Sequence, residues 1–225
     1  MEIIKKILHI ISAIVFFAVF VFGTYMQIYA LLTKGANRET LWIVSTIIFY
    51  IFTAAIFFGK DIIRRLVNWI PIEFNRFIII GIISSIVAES VYIFSKPFNE
   101  NLVLDLTALL PFYIIWMAIW YLVIKIGDFS LTEIFFLAGI NGFFVEIIFS
   151  GFVIINPISW TVISFPLVVT LYGCIMLIPA YVVKEDIQIF SVDGIIKKSL
   201  LSILPLASYV VSLFWIAYIK TIGIL

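Results

Sequence analysis

Gly139-Ile140-Asn141-Gly142-Phe143-Phe144-Val145-Glu146-Ile147-Ile148-Phe149-Ser150-Gly151 places a single carboxylic acid in the middle of an apolar run that continues to Pro166. The run is long enough to cross a bilayer, whose hydrocarbon core takes about 20 apolar residues per helix. A second stretch, Gly81 to Pro111, repeats the arrangement with Glu89 as its acid. An ionisable side chain at the centre of a spanning helix costs at least about 2.5–3.5 kcal/mol on insertion scales, so its retention points to a function.

The rest of the chain supports a membrane setting. Of 225 residues, 64% are apolar and 12% charged, and mean hydropathy is +1.26. Soluble domains run at about 45–50% apolar and about 25% charged. A net charge of +1 leaves no basic excess for nucleic acid. One cysteine, Cys174, rules out an internal disulfide, and one histidine, His9, rules out metal sites built on several histidines. Lys5 and Lys6 precede an apolar run that reaches Leu32, longer than a signal-peptide core and without a small-x-small cleavage site, so it reads as a retained helix.

Seven runs are long enough to span: about 7–32, 41–58, 77–95, 102–124, 130–155, 158–183 and 199–219. Asn156-Pro157 breaks the fifth from the sixth. The fold expected is an all-α, polytopic transmembrane bundle forming one domain over 1–225. Lys5, Lys6, Lys60, Arg64, Arg65, Arg76, Lys125, Lys184, Lys197 and Lys198 fall on one side of it, ten in all, against Lys34, Arg38, Lys96 and Lys220, four, on the other. The positive-inside rule then puts the N-terminus in the cytoplasm and the C-terminus outside a cell membrane. Within 61–70, Ile62, Ile63, Leu66, Val67 and Ile70 share one helical face and Asp61, Arg64, Arg65 and Asn68 the other, before Pro71. This predicts a short interfacial helix that anchors the tilt of its neighbours.

Spans three and four (77–124) align with spans five and six (130–183). Gly81, Glu89, Ser95 and Pro111 correspond to Gly139, Glu146, Ser150 and Pro166, with acid-to-proline separations of 22 and 20 residues. Both units are hairpins starting on the same side, which makes them candidate parallel repeats. A proline inside a helix frees a carbonyl and bends the axis, so each acid faces a kink at similar depth. Gln27, Asn141 and Asp105 add polar groups to such a pocket, and Tyr25, Tyr92, Trp116, Trp120, Trp160 and Tyr172 an aromatic lining. Asp105 lies near the outer end of its span, where an interfacial place is the simpler reading. Asp128 and Glu133 sit where a helix begins and read as caps.

Two carboxyl groups sharing one proton can give or take it near neutral pH. The competing reading is that each glutamate hydrogen-bonds a neighbouring helix and holds the bundle together. The segment Glu146-Ile147-Ile148-Phe149-Ser150-Gly151 resembles a degraded form of the motif of intramembrane CAAX-type proteases. Val145 stands in place of the first of that family's two glutamates, Ser150 in place of its arginine, and no downstream histidine is present, so metalloprotease chemistry does not carry over. Glu146, an aromatic loop and Phe165-Pro166-Leu167 at a helix start are similar to polytopic carotenoid hydratases and cyclases.

Three functions are open at this point. One is binding or acid/base modification of a lipid- or isoprenoid-like molecule, by Glu146 and Glu89, with aromatic faces able to stabilise a cation. Another is a small proton- or cation-coupled transporter, and a third a non-catalytic subunit of a membrane complex; a homo-oligomer fits any of them. The helices offer few convergent polar groups, which favours an apolar or amphiphilic ligand over a sugar, nucleotide or amino acid. No nucleotide loop, nucleophile–base pair, haem ligation or quinone motif is visible, so neither cofactor nor metal is expected.

Overall fold

A computed structural model describes residues 38–92, 102–149, 158–190 and 195–223, with isolated helical positions between 10 and 33. Every regular element among these residues is helical. They are α1 (Arg38–Phe58), α2 (Lys60–Val67), α3 (Glu73–Tyr92), α4 (Leu102–Gly127), α5 (Leu131–Phe143, continuing as a π-helical turn over Phe144–Phe149), α6 (Ile158–Val183), α7 (Ile195–Ile203) and α8 (Ala207–Thr221). Five stretches, Glu73–Tyr92, Leu106–Gly127, Leu131–Phe149, Ser164–Asp186 and Leu200–Thr221, are long and apolar enough to cross a membrane. Val44–Phe58 and Lys60–Val67, bent by 78° at Gly59, make a sixth if counted as one span. The run at 7–32 lies mostly outside the described residues.

Helix α6 is the centre of the bundle, packed against α1, α2, α3 and α5. It is apolar on all sides, the pattern of a helix enclosed by others. Its closest neighbour is α5, and glycine makes that approach possible: a methyl group on Gly139 would lie 2.2 Å from the Val169 carbonyl oxygen, and one on Gly142 would lie 2.0 Å from the Tyr172 ring. Without a hydrophobic drive between helices in lipid, such backbone proximity is a main source of association. On the α3–α4 side the corresponding contact is softer, Gly81 facing the Met117 sulfur. Trp116, Met117, Trp120, Phe77, Ile175 and Met176 fill the space between.

Two proline positions are resolved by tertiary hydrogen bonds. Pro111 has no N–H for the carbonyl four residues back, at Thr107. The Trp215 indole of α8 donates to that carbonyl at 2.9 Å, so the break in α4 is where the last helix docks. Pro205 divides the final run into α7, a 3₁₀ turn at Leu204–Leu206 and α8, a break that the continuous run 199–219 did not predict. There the Asn141 amide donates to the Ser202 carbonyl at 2.9 Å.

One end of the bundle is tied by charge. Arg64 of α2 pairs with Glu185 (2.7 Å) and Asp186, Arg76 with Asp186 (3.0 Å), and Lys60 with Glu185 (2.8 Å). Lys198 donates to the Asp128 carbonyl at 2.8 Å, and Lys125 approaches Glu73 at 3.8 Å. The Ser130 and Glu133 caps at the start of α5 are reciprocal, at 3.2 and 2.7 Å, as expected of Glu133. Asp128 instead has a φ of 43° and serves as a partner for lysines.

These pairs correct the reading of α2 as a two-faced helix. Arg64 turns inward to the acids at the end of α6, with Ile63, Val67 and the buried Ile70 on the same side. The outward side divides into an apolar stripe, Ile62, Leu66 and Trp69, and a polar one, Asp61, Arg65 and Asn68. Sequence periodicity could not show this, because Glu185 and Asp186 are more than a hundred residues away. Asp186 is only 23% exposed and serves two arginines. Replacing it by Asn should lower stability by about 1–2 kcal/mol, a buried-pair cost reduced for partial solvent access. An unchanged melting temperature of the Asp186→Asn protein in detergent would show the network to be decorative.

Candidate functional site

Both glutamates are placed by the helices that follow them. Glu89, half-buried near the end of α3, accepts a hydrogen bond from the Tyr113 hydroxyl of α4 at 2.6 Å. Glu146, in the π-helical turn of α5, accepts one from the Tyr172 hydroxyl of α6. The two tyrosines are 3% and 4% exposed. Their hydroxyls lie within electrostatic reach of both carboxyl groups. Glu89, Tyr113, Tyr172 and Glu146 therefore form a row of two carboxyl–phenol pairs, with each residue drawn from a different helix.

Local sequence explains the row. Gly142 stands one turn before Glu146 and leaves room for the Tyr172 ring, which then reaches the carboxylate. Trp116 meets the Tyr172 ring edge-on at 5.8 Å and stacks on Phe112 at 6.0 Å. At 1% exposure it holds that ring in place rather than lining an opening. The π-helical turn Phe144–Phe149 changes the pitch of α5 at the acid itself; such insertions are rare and are frequent at functional sites. Around the turn Phe144, Ile148 and Phe149 are exposed, as is Glu146 as a whole residue. The carboxyl is thus held from inside while its residue opens on the flank of the bundle.

The other candidates divide. Tyr92 joins the row's surroundings, its hydroxyl 2.8 Å from the Thr46 hydroxyl of α1 and within electrostatic reach of Glu89, Glu146 and Cys174. Asn141 is 5% exposed and bound to the Ser202 carbonyl, away from the carboxyl row. Gln27 and the side chains of Asp105 and Trp160 lie outside the described residues. Tyr113, the partner of Glu89, is not among the candidates that the sequence offers. The signal was there: it lies 24 residues after Glu89, as Tyr172 lies 26 after Glu146, each on the proline-containing helix that follows.

Among the described residues no group of three or more His, Cys, Asp or Glu side chains is placed to hold a metal ion. The chemistry on offer is that of two carboxyl–phenol pairs. No family model, curated protein or solved structure matches the chain, so a functional assignment has to come from this geometry.

Proposed function

We propose that this is a multi-pass protein of the cell membrane that binds or modifies a lipid- or isoprenoid-like molecule, with Glu146 and Glu89 as its acid and base. The observation that carries the reading is the dual character of Glu146. Its carboxyl is fixed by a buried tyrosine, yet the residue opens between Phe144, Ile148 and Phe149 on the flank that lipid would cover. A molecule dissolved in the bilayer reaches such a group laterally, without crossing water. An acid directed by a packed partner is already oriented for proton transfer, which contributes about 10²–10⁴-fold in general acid–base catalysis.

The same proposal takes the chain to have seven spans, with the ion-paired end in the cytoplasm. What supports that orientation is the gathering of Lys60, Arg64, Arg76, Lys125, Lys184 and Lys198 at one end by ion pairs with Glu185, Asp186, Glu73, Asp128 and Glu133. The two-hairpin repeat is supported by the matching glutamate–tyrosine bonds, each made to the next long helix.

The test is retention of the molecule. Wild-type protein purified from its membrane in mild detergent is extracted into organic solvent, and the extract is compared by mass spectrometry with those from Glu146→Gln and Glu89→Gln. An apolar species enriched with wild type and lost from both variants is expected. Identical lipid profiles from all three would overturn the proposal.

A further inference from the structure

Building on the reading of Glu146 as the acid, we infer that Tyr209 of α8 is its positioning residue. The Tyr209 ring, stacked on Phe149, holds the π-helical turn that aims the Glu146 carboxyl at Tyr172.

Two attachments join α5 to the last span, one on either side of the acid. Before it, the Asn141 amide donates to the Ser202 carbonyl at 2.9 Å. After it, the Phe149 ring stacks on Tyr209, with centroids 5.4 Å apart and planes at 29°. Between the two lies Glu146, whose carboxyl goes to a different helix and accepts from the Tyr172 hydroxyl of α6. The turn thus serves two neighbours, α6 and the last span.

Helix pitch decides whether it can. An α-helix of 3.6 residues per turn rotates about 100° per residue. At that pitch Glu146 and Phe149 would point within about 60° of each other and share one neighbour, while Asn141 and Phe149 would diverge by about 80°. A π turn is closed i to i+5 and takes close to one more residue per turn, or about 80° per residue. Over Phe144–Phe149 this pitch sets Glu146 and Phe149 about 120° apart and brings Asn141 and Phe149 within about 20°. Only the π pitch lets the acid face α6 while the residues around it face the last span.

Such turns are rare, so this one is kept by what it touches. Without the Tyr209 ring the segment relaxes to α pitch, which rotates Glu146 by about 40° about the helix axis. At about 5 Å from that axis the carboxyl moves by about 3 Å, the length of a hydrogen bond. Tyr172 cannot follow it, being 4% exposed and held edge-on by Trp116 at 5.8 Å. Tyr209 is itself well seated. The start of α8 is fixed by Ser208, which donates to the Pro205 carbonyl at 2.5 Å, and its further part by Trp215, which donates to the Thr107 carbonyl of α4 at 2.9 Å.

The test reads the Glu146 carboxyl band by infrared spectroscopy of the full chain in detergent at one pH. The band is taken as the difference between each protein and the same protein carrying Glu146→Gln. Tyr172→Phe gives its position when the bond from Tyr172 is absent. Tyr209→Leu keeps apolar bulk and removes the ring, and it should move the band from the wild-type position to that of Tyr172→Phe. Tyr209→Phe keeps the ring and removes only the hydroxyl, and it should leave the band where wild type has it. Any other position with Tyr209→Leu, or an equal move with Tyr209→Phe, refutes the assignment. If Tyr209→Leu does not fold, Phe149→Leu is read in the same way from the other side of the stack. Mere loss of packing would not reproduce the Tyr172→Phe band. No ligand enters the measurement, so failure here and failure of ligand retention are separate outcomes.

Discussion

Gly139→Ala is expected to destabilise this bundle strongly. Its Cβ would sit 2.2 Å from the Val169 carbonyl oxygen and 2.7 Å from a Val169 methyl. Carbonyl oxygens within a helix cannot step aside without moving the helix, so α5 and α6 would have to separate. Overpacking typically costs about 1–3 kcal/mol, and a backbone obstacle places this case at about 3. For a chain of this size that corresponds to a melting temperature lower by about 6–12 °C. Gly81→Ala is the internal comparison, because the obstruction there is the flexible Met117 thioether, at 2.5 Å; it should cost about 1 kcal/mol or less. Equal melting temperatures for the two variants would mean that α5 and α6 do not depend on close backbone approach.

The second large effect concerns Glu146 itself. Once the retained apolar molecule is identified, Glu146→Gln should lower its turnover by about 10²–10⁴-fold while leaving the melting temperature close to wild type, since an amide oxygen still accepts from Tyr172. Glu146→Leu removes that acceptor as well. Leaving the buried Tyr172 hydroxyl without this partner should cost about 1–3 kcal/mol in addition to the lost activity. Turnover of Glu146→Gln within tenfold of wild type would remove Glu146 from the chemistry. A stable Glu146→Leu protein would show that the acid does not hold the helices together.

What could be read in advance follows from what each property depends on. The apolar runs are local, and so the long helices were legible, as was the oddity of Glu89 and Glu146 in their midst. Their partners were less so. Sequence marks Tyr172 only as aromatic lining and Tyr113 not at all, because nothing local distinguishes a tyrosine that bonds an acid from one that packs or faces lipid. The π-helical turn at Phe144–Phe149 depends on how α5 meets α6, and Phe-Phe-Val-Glu-Ile-Ile-Phe carries no mark of it. Arg64 was assigned to solvent because its acids, Glu185 and Asp186, are brought to it only by the fold. Asn141 was read as a ligand-binding amide because its backbone partner, Ser202, lies at a break 61 residues away.

The three-sided character of α2 works as a depth mark. Its inner side is fixed to the bundle by Arg64, Ile63 and Val67, while its two outer stripes prefer different solvents: Ile62, Leu66 and Trp69 hydrocarbon, Asp61, Arg65 and Asn68 water. Since α2 turns 78° from the preceding helix, the boundary between those solvents must run along the helix, between the stripes. The bundle can then neither sink nor rise without wetting one stripe or burying the other. Helix α3 starts close by at Glu73 and climbs about 24 Å to Glu89, against a hydrocarbon core of about 30 Å. On the function proposed here, α2 would set the level in the bilayer at which a dissolved molecule meets the two acids.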